Sequence, residues 1–317
     1  TMYPETAGEH LDTIPEQSDR GPSNLESFST VAVGVEGYEA ALLTNSIRLY
    51  SDKPVYVFAD ETAARVLQED MAENVDMTVM DSDLLQERKM KFPVGSSAIW
   101  KNIGGFEDLY PPDALSLKMD VMAKAIKACG NTLFLDADVI MVNPVECDFK
   151  SSVTLSPHRE SDKMGKDYGI YNAGYIYSGD SDFPDFWEKA YFNDSALLEE
   201  ECLNRVHNEF DTSAFHEGHN YGMWRTRPVN QNLSMDDLFK GLNIKVEDNI
   251  YLNGESKMVS FHTHLRPPER KRPALFNLVR IFYECLKRST KKAHKELLDF
   301  ISSVFIPKAF EYGLGRG

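Results

Sequence analysis

The chain has 317 residues, 42% of them hydrophobic and 26% charged, with a formal net charge of -16. That balance suits a soluble protein of one large α/β domain with an appendage, and it excludes a disordered or fibrous chain. The acidic charge also excludes general nucleic-acid binding, which needs clustered Lys and Arg against phosphates.

Residues 1–27 hold six acids, one Arg and three prolines without periodicity, and are expected to form a mobile acidic arm. They lack the basic start and apolar centre of a secretory signal, and no apolar run is long enough to span a membrane, so the chain reads as cytoplasmic. Order is expected from "FSTVAVGVEGY" onward: Phe28 to Val35 reads as a buried strand, and Tyr38 to Tyr50 has helical spacing. "KPVYVFAD" predicts a second strand at Val55 to Ala59, "ETAARVLQEDMAE" a helix and "VDMTVMD" a third strand. Strand and helix alternate, so a mostly parallel sheet flanked by crossover helices follows. After a loop-rich stretch from Leu84 to Pro112, "DALSLKMDVMAKAIKACG" predicts an amphipathic helix ended by Gly130, which leads into the strand "TLFLD". The four cysteines, Cys129, Cys147, Cys202 and Cys285, form no CxxC pair and are expected to be reduced and mostly buried.

That last strand ends in Asp136-Ala137-Asp138. In an extended segment the two carboxylates share one side while Ala137 points to the other. Carboxylates so placed repel unless a cation or a proton lies between them. Oxygen ligands favour Mg2+ or Mn2+, ions that bridge carboxylates to a substrate's phosphates, so a diphosphate substrate is expected. A second pair, His262 and His264 in "VSFHTHL", repeats the two-residue spacing and offers an imidazole ligand. "FHEGHNYGMWRTRP" is one residue short of the zinc-protease HExxH and carries glycines, so it reads as a loop, either packed on Trp224 or touching sugar or phosphate.

Taken in order, Val33-Gly34-Val35-Glu36-Gly37-Tyr38, Lys118 before "LFLDADVIMVNP", "YNAGYIYSG", "VNQNLS" and "VSFHTHL" resemble the nucleotide-sugar glycosyltransferases of the glycosyltransferase A fold, most similarly the glycogenin-like family 8 and relatives. The resemblance spans residues 29 to 265 and implies a catalytic domain over 28–265 followed by a basic helical extension over 266–317. It implies that Asp136, Asp138 and either His262 or His264 ligate Mn2+ or Mg2+, and that Val33, Gly34 and Tyr38 line the base pocket with the Tyr38 ring stacked on the base. It further implies that Lys118 holds the ribose or diphosphate, and that Ala137, Asn172, Ala173, Gly174 and Gln231 lie along the donor. Where many relatives have Asp-Gln, this chain has Asn230-Gln231, and Leu265-Arg266-Pro267-Pro268 replaces Lys-Pro-Trp. The function implied is transfer from a nucleoside diphosphate sugar, a UDP-sugar first, to a hydroxyl of a glycan, protein or lipid-linked acceptor. Asp180, Asp211 and Glu217 are the candidate bases for an inverting reaction, whereas a retaining enzyme can use a donor phosphate oxygen.

Two alternatives stand beside this. "LFLDADV" also fits the first motif of a haloacid-dehalogenase-type phosphatase, with Asp136 as nucleophile and "YSGDSD" as the late acidic motif. A non-catalytic carbohydrate-binding protein is the other. Between Arg266 and Glu296 ten Lys/Arg stand against three acids at helical spacing, so the extension is expected either to pack back on the domain or to touch an anionic membrane surface.

Overall fold

The computed structural model describes residues 21–80, 112–157, 170–193, 202–226, 233–254, 256–263 and 273–307. In chain order its first half runs β1 (Phe28–Ala32), α1 (Glu36–Arg48), β2 (Val55–Asp60), α2 (Glu61–Asp70), β3 (Val75–Met80), α3 (Pro112–Cys129), β4 (Thr132–Leu135) and β5 (Val139–Met141). There follow β6 (Val153–Pro157), β7 (Tyr171–Ser178), α4 (Phe183–Asn193), β8 (Thr212–Ala214), α5 (Met235–Gly241), β9 (Ile244–Val246), β10 (Ile250–Leu252), β11 (Ser256–Lys257), β12 (Ser260–His262), α6 (Pro273–Arg288) and α7 (Lys292–Phe300).

A seven-stranded sheet has the order β3-β2-β1-β4-β7-β6-β8. Its ladders are parallel except that β7 runs antiparallel to both β4 and β6. Alternation along the strands builds a core on each face: Leu133 and Leu135 of β4 join α1 and α2, while Phe134 joins α3 and α4 through Met122, Phe183 and Trp187. Local chemistry sets the boundaries. Asp60 caps α2 by accepting the Ala63 N–H at 2.7 Å, and Gly130, at φ 91°, closes α3 with its N–H on the Ile126 carbonyl at 2.7 Å. The four cysteines are free thiols, three of them buried.

A third core cluster joins Tyr38 and Leu42 of α1 to Ile140 of β5, Phe261 of β12 and Leu278, Ile281 and Phe282 of α6. The apolar stripe of the C-terminal helices is therefore spent on the interior, leaving contact with any other surface to the basic residues. No helix among the described residues is long and apolar enough to cross a membrane.

His294 of α7 fastens this cluster. Its Nε2 donates to the Val142 carbonyl at 2.6 Å, so its Nδ1 accepts from the Ser289 hydroxyl at 2.6 Å. Burial, with Lys291 and Lys295 nearby, pushes its pKa from 6.5 down to about 4. A folded-state value below the unfolded one gives a contribution that is complete above about pH 6.5 and fades as pH falls toward 4. The wild type is therefore expected to lose up to about 3 kcal/mol more than His294→Gln over that interval. Denaturation curves that fall in parallel for the two proteins would refute the assignment.

Candidate metal and donor site

The site lies past the carboxyl end of β4, next to the carboxyl ends of β1 and β2, where open α/β sheets place ligands. The Asp136 N–H bonds the Gly174 carbonyl at 2.9 Å, and the Val139 N–H bonds back to the Asp136 carbonyl at 3.0 Å. This tight turn carries Asp138 away from the main sheet and into β5. Ala137 and Asp138 stand on the turn and not on the extended segment that the spacing suggested, and it is the turn that sends Ala137 into the core between the two carboxylates.

The partner of β5 supplies the nitrogen. β12 pairs antiparallel with β5, setting His262 opposite Val139. The Thr263 N–H and hydroxyl both bond the Asp138 carbonyl, at 2.9 and 2.8 Å. His262 Nε2 consequently lies 3.0 Å from Asp138 Oδ1 and 3.9 Å from Asp136 Oδ2. One ligand atom from each of the three residues lies within 4.8 Å of the others. From α3, Lys118 is buried with its ammonium 3.0 Å from Asp136 Oδ1 and 5.6 Å from the centre of the Phe134 ring. Two carboxylates against one ammonium leave an excess of negative charge beside the His262 ring. Two oxygen donors and one nitrogen suit Mn2+ or Mg2+.

β7 closes the site. Its register against β6 jumps from Leu155↔Ile176 to Ser156↔Asn172, so Ala173, Gly174 and Tyr175 bulge from the ladder. The bulge presses Gly174 against the acidic pair. A Cβ there would lie 2.2 Å from Asp136 Oδ2 and 2.8 Å from His262 Cε1. Asn172 and Ala173 are buried beside it.

The base-pocket candidates fare differently from one another. Val33 and Gly34 are half-buried at the end of β1, with their N–H groups on Glu36 Oε2 and Asp60 Oδ1, both at 3.0 Å. Gly34 has φ 59°, a conformation that favours glycine. Tyr38 departs from expectation. It is 4% exposed within the third core cluster, so its ring offers no open face to a base in this arrangement.

Strand direction corrects two of the base candidates. Because β7 is antiparallel, Thr132 pairs with Ser178 and Leu135 with Tyr175. Asp180 therefore lies beyond the start of β4 while Asp136 lies beyond its end, more than about 10 Å apart. The Asp211 carbonyl bonds the N–H of Val153, itself paired with Ser178, so Asp211 shares that far edge. The phosphatase assignment fails on the same geometry, since its late acidic residue would have to face Asp136. Glu217 stands 3.6 Å from Arg225 and accepts from the Asn253 amide, which anchors the loop to the β10 turn. Gln231 and His264 lie outside the described residues, as do residues 1–20 of the arm.

The loop over 215–226 is packed, with His219 and Trp224 buried. The Trp224 indole meets the His262 ring edge-on at 5.7 Å and 81°. It also carries a residue that spacing does not disclose: Asn220, 3% exposed, touches His262, Asn172 and Ser156 with its amide.

Sheet order, the single reversed strand and the acidic turn after β4 define the glycosyltransferase A fold. Among solved structures, the galactosyltransferase LgtC in complex with donor and acceptor sugar analogues superposes with a TM-score of 0.52 at 10% identity, over 86% of this chain and 100% of its own. Mouse xyloside xylosyltransferase 1, in its apo form, superposes less well, at a TM-score of 0.43 and 10% identity over 74% of this chain and 97% of its own. Identity this low speaks to the fold and not to the reaction. No family model and no curated protein matches the sequence.

Proposed function

We propose that the protein is a divalent-metal-dependent glycosyltransferase of the glycogenin-like family 8 or a relative, moving a sugar from a nucleoside diphosphate sugar, a UDP-sugar first, to a hydroxyl of a glycan, protein or lipid-linked acceptor. The observation that carries this reading is the convergence of Asp136, Asp138, His262 and Lys118 at the carboxyl edge of a glycosyltransferase A sheet. Asp136, Asp138 and His262 hold Mn2+ or Mg2+ in this reading. When bound, that ion offsets the negative charge that grows on the leaving diphosphate. Lys118 keeps the more open carboxylate, Asp136, in one orientation and adds a positive charge within reach of the same phosphates. Val33 and Gly34 meet the nucleoside. The missing side chain of Gly174 lets the β7 bulge pack directly against Asp136 and His262 and so keeps both ligands in place.

With Asp180 and Asp211 at the far edge and Glu217 engaged with Arg225, the reading favours a donor phosphate oxygen as the group that takes the acceptor's proton, as in a retaining enzyme. The first test is a thermal-shift panel of UDP-, GDP-, CMP- and dTDP-sugars, each with Mn2+ and with EDTA. A melting-temperature rise is expected for one nucleotide only, in Mn2+ only, with release of that nucleoside diphosphate on addition of a hydroxyl acceptor. No response to any donor would sink the proposal, and binding without turnover would favour the non-catalytic carbohydrate-binding reading.

A further inference from the structure

A chain of hydrogen bonds behind the acidic pair decides which nitrogen of His262 carries its hydrogen. The Gly174 N–H can only donate, and it meets the Asn172 side chain at 3.1 Å, so the atom it meets is the carbonyl oxygen. That same oxygen lies 3.0 Å from the Asn220 amide, which must therefore present its nitrogen. The nitrogen's second hydrogen goes to Ser156 Oγ at 3.1 Å. The Asn220 oxygen is left facing His262 Nδ1 at 3.2 Å. A carbonyl oxygen accepts and never donates, so Nδ1 holds the hydrogen.

The consequence falls on the other nitrogen. With the hydrogen on Nδ1, Nε2 is the ring nitrogen left to offer a lone pair to a cation, and it stands 3.0 Å from Asp138 Oδ1. Asn220, Asn172, Ser156 and His262 are each at most 8% exposed, so water does not compete for these bonds. The ring is also held from the side by Trp224. Its indole occupies space that a side chain on residue 222 would fill, since a Cβ on Gly222 would lie 2.2 Å from Trp224 Cη2.

We infer that Asn220 is a positioning residue for the metal centre: it locks His262 in the tautomer that ligates through Nε2, and it ties that ligand to the Asn172–Gly174 bulge. The inference rests on the metal reading above and extends it to a residue that touches neither ion nor substrate. The orientation of three side chains from three separate segments becomes one arrangement, set by a single glycine N–H.

The probe is Co2+ alone, added stepwise to the metal-stripped full chain carrying 15N-labelled histidine rings and followed by proton NMR in H2O and in D2O. The wild type is expected to show one cobalt-shifted, solvent-exchangeable proton attached to a ring Nδ1, absent in His262→Gln. Asn220→Ala is expected to lose that resonance to exchange and to bind Co2+ about 10- to 100-fold more weakly. Asn220→Asp keeps an acceptor oxygen for Nδ1 and is expected to retain the resonance, an outcome that mere loss of packing would not produce. A Co2+-loaded wild type without such a proton, or Asn220→Ala with unchanged resonance and affinity, would overturn the inference. Should Asn220→Ala fail to fold, the wild-type spectrum and Asn220→Asp still decide it. Absence of Co2+ binding in the wild type would remove the metal reading and this inference together, whereas Co2+ binding without a donor response would remove only sugar transfer.

Discussion

Asp138→Asn is expected to fold normally and to lose metal-dependent donor binding. The replacement keeps the shape of a side chain that is only 6% exposed, and its amide still has hydrogen-bonding atoms 3.0 Å from His262 Nε2. What it removes is one of the two negative charges that make the site attractive to a cation. Loss of a direct ligand should exceed the effect of losing a residue behind one, so Mn2+ affinity is expected to fall by more than about 100-fold. Calorimetric titration with Mn2+, then with the responding donor, measures this. Wild-type affinities in the variant would show that the acidic turn is only a turn.

Gly174→Ala is the second large effect, and its cause is steric. The added carbon would lie 2.2 Å from Asp136 Oδ2, and Asp136 has little freedom to give way. Its backbone N–H bonds the carbonyl of residue 174 itself, and Lys118 grips its other carboxylate oxygen at 3.0 Å. The carboxylate must leave Lys118 or the bulge must shift. Overpacking of this kind costs about 1–3 kcal/mol. The variant is expected to melt at lower temperature and to lose most of its Mn2+ response. Gly241→Ala, where a new Cβ meets nothing within 4 Å, is the matched control and should do neither. A Gly174→Ala protein that binds Mn2+ like wild type would mean that Asp136 does not stand where the ion binds.

Much of this arrangement is legible in the residues alone. The βαβαβ opening is written in short apolar runs alternating with helical spacing, and the end of α3 in its closing glycine, all of them local signals. The acidic pair is legible as two carboxylates at a strand end, although a turn, and not the alternation of an extended segment, sets where they point. His262 and His264 read alike in the sequence; the pairing of β12 with β5, a contact between segments far apart in the chain, brings His262 to the acidic pair, and His264 lies outside the described residues.

What escaped depends on direction and on distance. Had β7 run parallel to β4, Asp180 would sit beside Asp136. Its reversal sends Asp180 to the opposite edge and brings Asn172 and Gly174 in its place. No property of "YNAGYIYSGD" records that choice, because an antiparallel strand and a parallel one bury the same side chains. Asn220 was hidden by the length of its connections, which reach Ser156, Asn172 and His262 across gaps of 64, 48 and 42 residues. The role of Tyr38 came from the resemblance alone, and its burial with residues of α6 and α7 is a long-range contact that the sequence does not display.

The pairing of β12 with β5 has a consequence for the molecule's thermodynamics. His262 stands on a two-stranded ribbon whose back, through Phe261 and Phe282, is the foundation of the C-terminal helices, whereas Asp136 closes a strand of the main sheet. An ion held by all three residues would act as a clasp between the two halves of the chain. Occupancy of the site and docking of the C-terminal half would then be linked equilibria, each strengthening the other by the same free energy.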